Sequence, residues 1–294
     1  QGGRQSGRAQ RLRPLAGALL LTGALSCHRA ARLGPDGAGN AAWSAYAVRF
    51  ATLPQFRVRG LIAGADSSRR LDIPVMVIVL RRPDGSMALI DAGFFRQKFL
   101  DQWKPKDYRR PPDALRAAGF DPARVTDIIV THVHWDHADA AELFPDARLW
   151  LQREEFEYYV GPGGEALKPA IDRDVAAMFR RLSDTGRLGL IEGDDQEVLP
   201  GVRVYTGGKH TWASQYAAVR LSSGTLVVAS DNAYLYENIE SRVPIAQTLD
   251  AASNLRAQQR MLELAGSIAR IVPGHDPAVF TRFDRVAEGV ARLR

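Results

Sequence analysis

Directly after the largely apolar run Val125–Val130, residues 131–137 read Thr-His-Val-His-Trp-Asp-His. Four side chains of metal-ligand type, His132, His134, Asp136 and His137, occupy six consecutive positions, and whatever fold the chain adopts must give them a common partner. The chain has only six histidines, and three of them stand here. Imidazole and carboxylate are borderline ligands suited to zinc and its first-row neighbours. At a strand end His132 and His134 share a face, because side chains alternate with period 2, so both can grip one metal. Asp136 and His137, past the bend, would face a second. The bland alternative is a cluster of capping polar residues.

The remaining candidates are scattered but share one kind of position. His210 stands in Thr-Gly-Gly-Lys-His-Thr after Val202–Tyr205, and His275 in Val-Pro-Gly-His-Asp-Pro after Ile268–Val272. Asp231 ends the apolar run Thr225–Ser230. Each follows a short apolar or β-branched stretch and opens a loop, where a rigid sheet can hold a ligand while loops vary around it. His28 alone lies apart and has no partner.

The charge balance excludes one class of function. The chain carries 39 basic and 33 acidic residues, a formal +6 that would ordinarily suggest an anionic partner. Residues 1–33 hold six arginines (Arg4, Arg8, Arg11, Arg13, Arg29, Arg32) and no acid, which leaves 33 bases against 33 acids in the body. The body is neutral, so a nucleic-acid partner is not expected.

Those first 33 residues read as an export leader: arginines, then the apolar stretch Leu15–Leu25, then Ser26 and Cys27. Such a stretch is too short to span a bilayer, so no transmembrane helix is expected. Ala-Leu-Ser-Cys resembles a bacterial lipobox, which makes Cys27, the only cysteine, a candidate lipid anchor. The expectation is an exported protein, periplasmic or lipoprotein, with a linker at 34–45 and one domain at 46–294. At this length and 46% hydrophobic content one α/β domain can bury a full core.

Along the domain, strand and helix signals alternate. Val75–Leu80 and Met87–Asp91 flank Pro83-Asp84-Gly85, a hairpin signature. Pro112–Gly119 reads as a short helix, Ala138–Leu143 as a helix behind the histidine motif, and Arg148–Gln152 as a strand. Glu154–Leu188 is mostly helical, interrupted by Gly161–Gly164, which lacks the Gly-Lys-Ser/Thr ending of a phosphate loop. Leu249–Leu264 reads as a helix whose apolar face is Leu249, Ala252, Leu255, Met261 and Leu264.

The order His-x-His-x-Asp-His, then His, Asp and a final His, resembles the metallo-β-lactamase-fold hydrolase superfamily, over about Tyr46 to Phe283. The resemblance implies a four-layer αββα sandwich holding two Zn2+, or other first-row divalent metals. It implies His132, His134 and His210 on one metal and Asp136, His137 and His275 on the other, with Asp231 bridging. Asp91, in Leu-Ile-Asp-Ala-Gly, falls where the family carries an aspartate that supports the site rather than ligating. Within the superfamily His134 stands where a di-iron redox site would carry Glu, the body has no cysteine ligand, and Asp231 is present. Tyr234, three residues after Asp231, matches the substrate-facing tyrosine of N-acyl homoserine lactonases.

The function so implied is quorum quenching by opening the lactone ring of a small molecule. A metal-bridging hydroxide attacks the carbonyl, Tyr234 stabilises the oxyanion, and Asp136 serves as ligand and proton shuttle. The alternatives are another hydrolase of the same fold (phosphotriesterase, thioesterase or β-lactamase) and a non-catalytic metal-binding protein. For an acyl tail, Phe94, Phe95, Phe99, Trp103 and Trp135 are candidate lining residues, and Trp212 could flank the pocket.

Overall fold

The structure, a computed structural model, describes residues 2–3 and 43–294, and the latter belong to one compact unit. The rest of the leader, with Cys27 and His28, and the linker up to residue 42 lie outside the described residues. The chain runs through β1 (Ser44–Arg57), β2 (Arg70–Arg81), β3 (Met87–Ile90), α1 (Gln97–Trp103), α2 (Pro111–Ala117), β4 (Val125–Ile129), α3 (Trp135–Ala138) and β5 (Arg148–Gln152). It continues through α4 (Arg153–Tyr159), α5 (Arg173–Asp184), β6 (Leu188–Ile191), β7 (Gln196–Leu199), β8 (Val202–Thr206), β9 (Gln215–Leu221) and β10 (Gly224–Ser230). The last elements are α6 (Tyr236–Glu240), α7 (Ala251–Ala265), β11 (Ile271–Pro273), α8 (Val279–Arg282), β12 (Asp284–Ala287) and β13 (Val290–Leu293). Among the described residues no helix is long and apolar enough to cross a membrane.

Two sheets result, one ordered β12-β13-β1-β2-β3-β4-β5-β6 and the other β11-β10-β9-β8-β7. Strand periodicity separates three cores. Along β4, Ile128 joins the core under the helices of the first sheet while Ile129 faces the second sheet. Along β10, Leu226 and Val228 point between the sheets while Val227 and Ala229 pack under α7 with Met261 and Ala265. A core beneath each helical layer and one between the sheets make the four-layer αββα sandwich expected from the sequence.

This topology gathers strand ends. β3 and β4 run parallel with Ile90 beside Ile129, so Asp91 and the 131–137 segment emerge together. β10 and β11 also run parallel, with Ser230 beside Pro273, which brings out Asp231 next to Gly274 and His275. The β8–β9 turn joins them from Thr206 to Gln215 and carries His210. Gln215 fastens this turn to the first sheet, its backbone N–H donating to Thr131 (2.9 Å) and its amide to Val130 (2.8 Å).

Two sequence expectations change. Ala138–Leu143 is not one α-helix: Ala138 closes the single turn of α3, and Asp139–Leu143 is a 3-10 turn. The backbone there serves the neighbouring loop: Ala140 N–H donates to Gly93, and the Asp139 carboxylate accepts from the N–H groups of Phe95 and Arg96. In α7 the buried face is Asn254, Ala257, Gln258, Met261 and Ala265, while Leu249 precedes the helix and stays exposed. Two polar residues hold that face because they satisfy loop backbone: Asn254 donates to Gly208 and Asn232, and Gln258 to Val243. A hydrophobicity count therefore finds Met261 and the half-buried Leu264 but misses the polar members of the stripe. Met261→Ala should cost about 2–5 kcal/mol, and Leu249→Ala less than about 0.5, as read from urea midpoints.

Candidate metal centre

Seven side chains converge at these strand ends in two groups: His132, His134, His210 and Asp231, and Asp136, His137 and His275. In the first, His134 Nδ1 lies 3.0 Å from His132 Nε2 and 2.9 Å from His210 Nε2. A tetrahedral ion with bonds of ~2.0–2.1 Å separates its nitrogens by about 3.3 Å, so this spacing suits a shared cation. Asp231 lies between the groups. Its Oδ1 is 3.2 Å from both His137 Nε2 and His275 Nε2, and its Oδ2 is 3.4 Å from His210 Nε2 and 3.8 Å from His132 Nε2. Asp136 Oδ2 approaches His137 and His275 at 3.5 and 3.6 Å.

The outer nitrogens explain why the inner ones converge. His210 Nδ1–H donates to the Gln247 carbonyl (2.9 Å) and His275 Nδ1–H to the Pro74 carbonyl (2.9 Å). His137 Nδ1–H donates to Asp91 Oδ2 (2.7 Å). His132 Nδ1–H donates to Thr131 Oγ1 (3.0 Å), whose own proton goes to Asp91 (2.9 Å). Fixing one ring nitrogen as donor leaves the other as a bare lone pair aimed inward. His137 Nε2 and Asp231 Oδ1 are buried with no hydrogen-bond partner among the described residues. Buried orphans of this kind are costly unless a cation takes them up. An all-imidazole and carboxylate donor set fits zinc or a first-row neighbour.

Electrostatics divides the two groups of rings. Burial, reinforced by the neighbouring imidazoles, pushes His132 well below the usual histidine range. Burial likewise takes His134 and His210 down to about 4. These rings stay neutral, as ligands must. For His137 and His275 burial acts the same way, but the carboxylates of Asp231 and Asp136 outweigh it and raise both. Burial would lift Asp231, yet His137 and His275 hold it well below the usual carboxylate range.

Asp91 is the support its sequence position suggests. It takes the left-handed backbone (φ 62°) and accepts from Thr131 N–H (2.8 Å), Thr131 Oγ1, His137 and Ser230 Oγ (3.1 Å). Strain at a non-glycine residue beside a site persists only where surrounding bonds over-determine it. Gly274 is required for another reason: a Cβ there would lie 2.5 Å from Asp231 Oδ1 and 2.9 Å from the Ser230 backbone.

Tyr234 is buried beside this cluster, its hydroxyl 3.3 Å from His210 Nδ1, and burial with the nearby Asp231 and Asp136 raises it well above the usual phenol range. Because His210 Nδ1 already gives its proton to Gln247, the phenol proton is free to donate elsewhere. A cavity of ≈ 210 Å³ opens on Tyr234, His134, Asp136, Asp231 and His275. Its apolar wall includes Leu53, Phe56, Leu61, Ile73, Trp103 and Trp135. Of the aromatic candidates read from the sequence, Trp103 and Trp135 line it. Phe94 and Phe99 stand buried behind Trp135, each with its ring centroid 4.7 Å away, and Phe95 packs under Arg96 and Arg110. Trp212 stacks on Tyr158 and is not part of the wall. Leu53, Phe56, Leu61 and Ile73 escaped the sequence reading, since they come from the β1–β2 region, remote from every motif.

Three comparisons with known proteins accord with this geometry. The sequence profile of the Metallo-beta-lactamase superfamily matches residues 70–275. The N-acyl homoserine lactonase AttM of Rhizobium johnstonii is 29% identical over 240 residues, covering 74% of this chain and 87% of that protein. The structure of an N-acyl homoserine lactone hydrolase with N-hexanoyl-L-homoserine bound at its catalytic metal center superposes with a TM-score of 0.68 at 20% identity, covering 83% of this chain and 97% of that one. AidC, described as a dizinc quorum-quenching lactonase, gives 0.59 at 14% identity over 79% of this chain and 87% of its own. Asp91→Asn should lower metal affinity roughly 10–100-fold with the fold retained, measured by chelator competition alongside circular dichroism.

Proposed function

The chain belongs to the metallo-beta-lactamase superfamily, and from that premise we propose that it hydrolyses the lactone ring of N-acyl homoserine lactones on a two-zinc site. One observation carries the reading: the Tyr234 side chain lines the same cavity as His134, Asp136, Asp231 and His275 of the convergent cluster. His132, His134 and His210 with Asp231 Oδ2 would hold one ion, and Asp136, His137 and His275 with Asp231 Oδ1 the other. Two such ions, when bound, bring the pKa of water near neutrality and polarise an acyl carbonyl.

The chain's own residues supply the rest. Water adds to the lactone carbonyl carbon, and negative charge gathers on the carbonyl oxygen. The Tyr234 hydroxyl donates to that oxygen, an interaction worth roughly 3 kcal/mol for a single well-placed donor. The ring C–O bond then breaks, and the leaving alkoxide needs a proton. Asp136, on the cavity wall, takes a proton from the attacking water and passes it to that oxygen, so the product is the open hydroxy acid. Trp135 and Trp103, stacked with ring centroids 5.4 Å apart, keep one side of the cavity apolar. That wall suits an acyl chain better than a charged group. The relatives named as N-acyl homoserine lactonases support the same substrate class.

Tyr234→Phe should lower kcat roughly 10²-fold while metal content stays at the wild-type value. Wild-type kcat in that variant would remove the lactonase part of the reading. Assayed against acyl homoserine lactones, a β-lactam and a phosphotriester, the protein should turn over the lactones best. Turnover of the β-lactam alone would show the substrate assignment to be wrong.

A further inference from the structure

Glu155 is a buried carboxyl that the chemistry above does not use. It lies on α4 with 0% exposure and no ion-pair partner among the described residues. Its Oε1 accepts from the Val133 backbone N–H (3.3 Å) and from Thr211 Oγ1–H (2.5 Å), and its Oε2 accepts from the Ala213 N–H (2.7 Å). Val133 stands between His132 and His134, and Thr211 follows His210. One carboxylate oxygen therefore ties together the two loops that supply all three imidazoles of the first group.

The neighbouring turns of the same face repeat the pattern. Gln152, the last residue of β5 and the N-cap of α4, donates to Gln215 Oε1 (2.9 Å), and the Tyr159 hydroxyl, one turn after Glu155, accepts from the Trp212 N–H (3.2 Å). Residues at this spacing share a helix face, so α4 brackets the His210 loop along its length. Packing alone does not call for an acid here. A buried carboxyl carries a desolvation penalty that an apolar side chain of similar size avoids. Burial in fact lifts the Glu155 carboxyl to about 7, against the pull of its three hydrogen bonds and of Lys209. A costly group retained on three bonds to two ligand loops has a positional use.

We propose that Glu155 is a positioning residue for the first metal site, its carboxylate fixing the separation of the His132–His134 loop from the His210 loop and so setting that site's metal affinity and ligand geometry. This rests on the assignment of His132, His134 and His210 as ligands. Glu155 touches no metal and no substrate, so its effect passes through the spacing of the three rings.

The test uses the full chain stripped of metal and titrated with Co2+, whose visible spectrum reports ligand geometry. Wild type is compared with Glu155→Gln, Glu155→Leu and Thr211→Val. Leu removes all three bonds, and one of the two binding steps should weaken about 10–100-fold with an altered spectrum for that ion. Gln keeps an acceptor for Val133 and Thr211 but sets an amide N–H against the Ala213 N–H, so its loss is smaller and of the same sign. Thr211→Val removes one bond without a buried cavity, and it decides the matter if the Leu variant does not fold. In the variants that fold, kcat should fall while KM holds. Wild-type affinity and spectrum in these variants would overturn the proposal, as would a loss confined to melting temperature with both binding steps intact. A wild-type chain that binds no Co2+ removes the ligand assignment itself and this proposal with it.

Discussion

Five imidazoles turn a ring nitrogen inward, three toward one point and two toward a second beside it, and four of them are fixed in that pose by a hydrogen bond at the outer nitrogen. The inner nitrogens of His132 and His210 lie 3.0 and 2.9 Å from His134 Nδ1, with their own protons placed on the outer nitrogens. The outer bonds to Gln247, Pro74, Asp91 and Thr131 make that choice of tautomer. The residues that accept these bonds are Pro74 on β2, Asp91 and Thr131 just past the ends of β3 and β4, and Gln247 on the loop before α7. The sandwich supplies the rigidity, because β3 and β4 deliver Asp91 and the motif from one sheet while β10 and β11 deliver Asp231 and His275 from the other. Asp231 divides its two oxygens between the groups, which is the geometry of a bridging carboxylate.

The buried polar residues around the cluster form a second tier of the same design. Asp91 joins Thr131, His137 and Ser230. Glu155 and Tyr159 hold the His210 loop from α4, Gln152 holds Gln215 from the end of β5, and Asn254 holds Gly208 and Asn232 from α7. Such networks are costly when half-satisfied and rigid when complete. Nearly every polar group here finds its partner, and two of the unpartnered atoms, His137 Nε2 and Asp231 Oδ1, sit in the centre itself.

Much of this was legible before the structure. Side chains of metal-ligand type that cluster in sequence or follow an apolar run carry their own signal, so His132, His134, Asp136 and His137 stand out at once, and His210, Asp231 and His275, which the structure brings beside them, follow by position. The hairpin about Pro83-Asp84-Gly85 and the strand Arg148–Gln152 are local features, and both are present as read. What escaped was whatever depends on distant partners. The buried stripe of α7 includes Asn254 and Gln258, whose burial makes sense only once loop carbonyls are in place. The cavity wall takes Leu53, Phe56, Leu61 and Ile73 from β1, β2 and the turn between them, which no motif marks. Glu155 reads as one more acid in a helix until Val133 and Thr211 are seen against it.

The central claim is that this chain holds two metal ions with Asp231 between them. A crystal structure of the zinc-loaded protein, with anomalous differences collected at the zinc edge, tests it most directly. The account predicts two peaks about 3.5–4 Å apart, one among His132, His134 and His210 and the other among Asp136, His137 and His275, with one Asp231 oxygen on each. A single peak, or two peaks that Asp231 does not join, would contradict it.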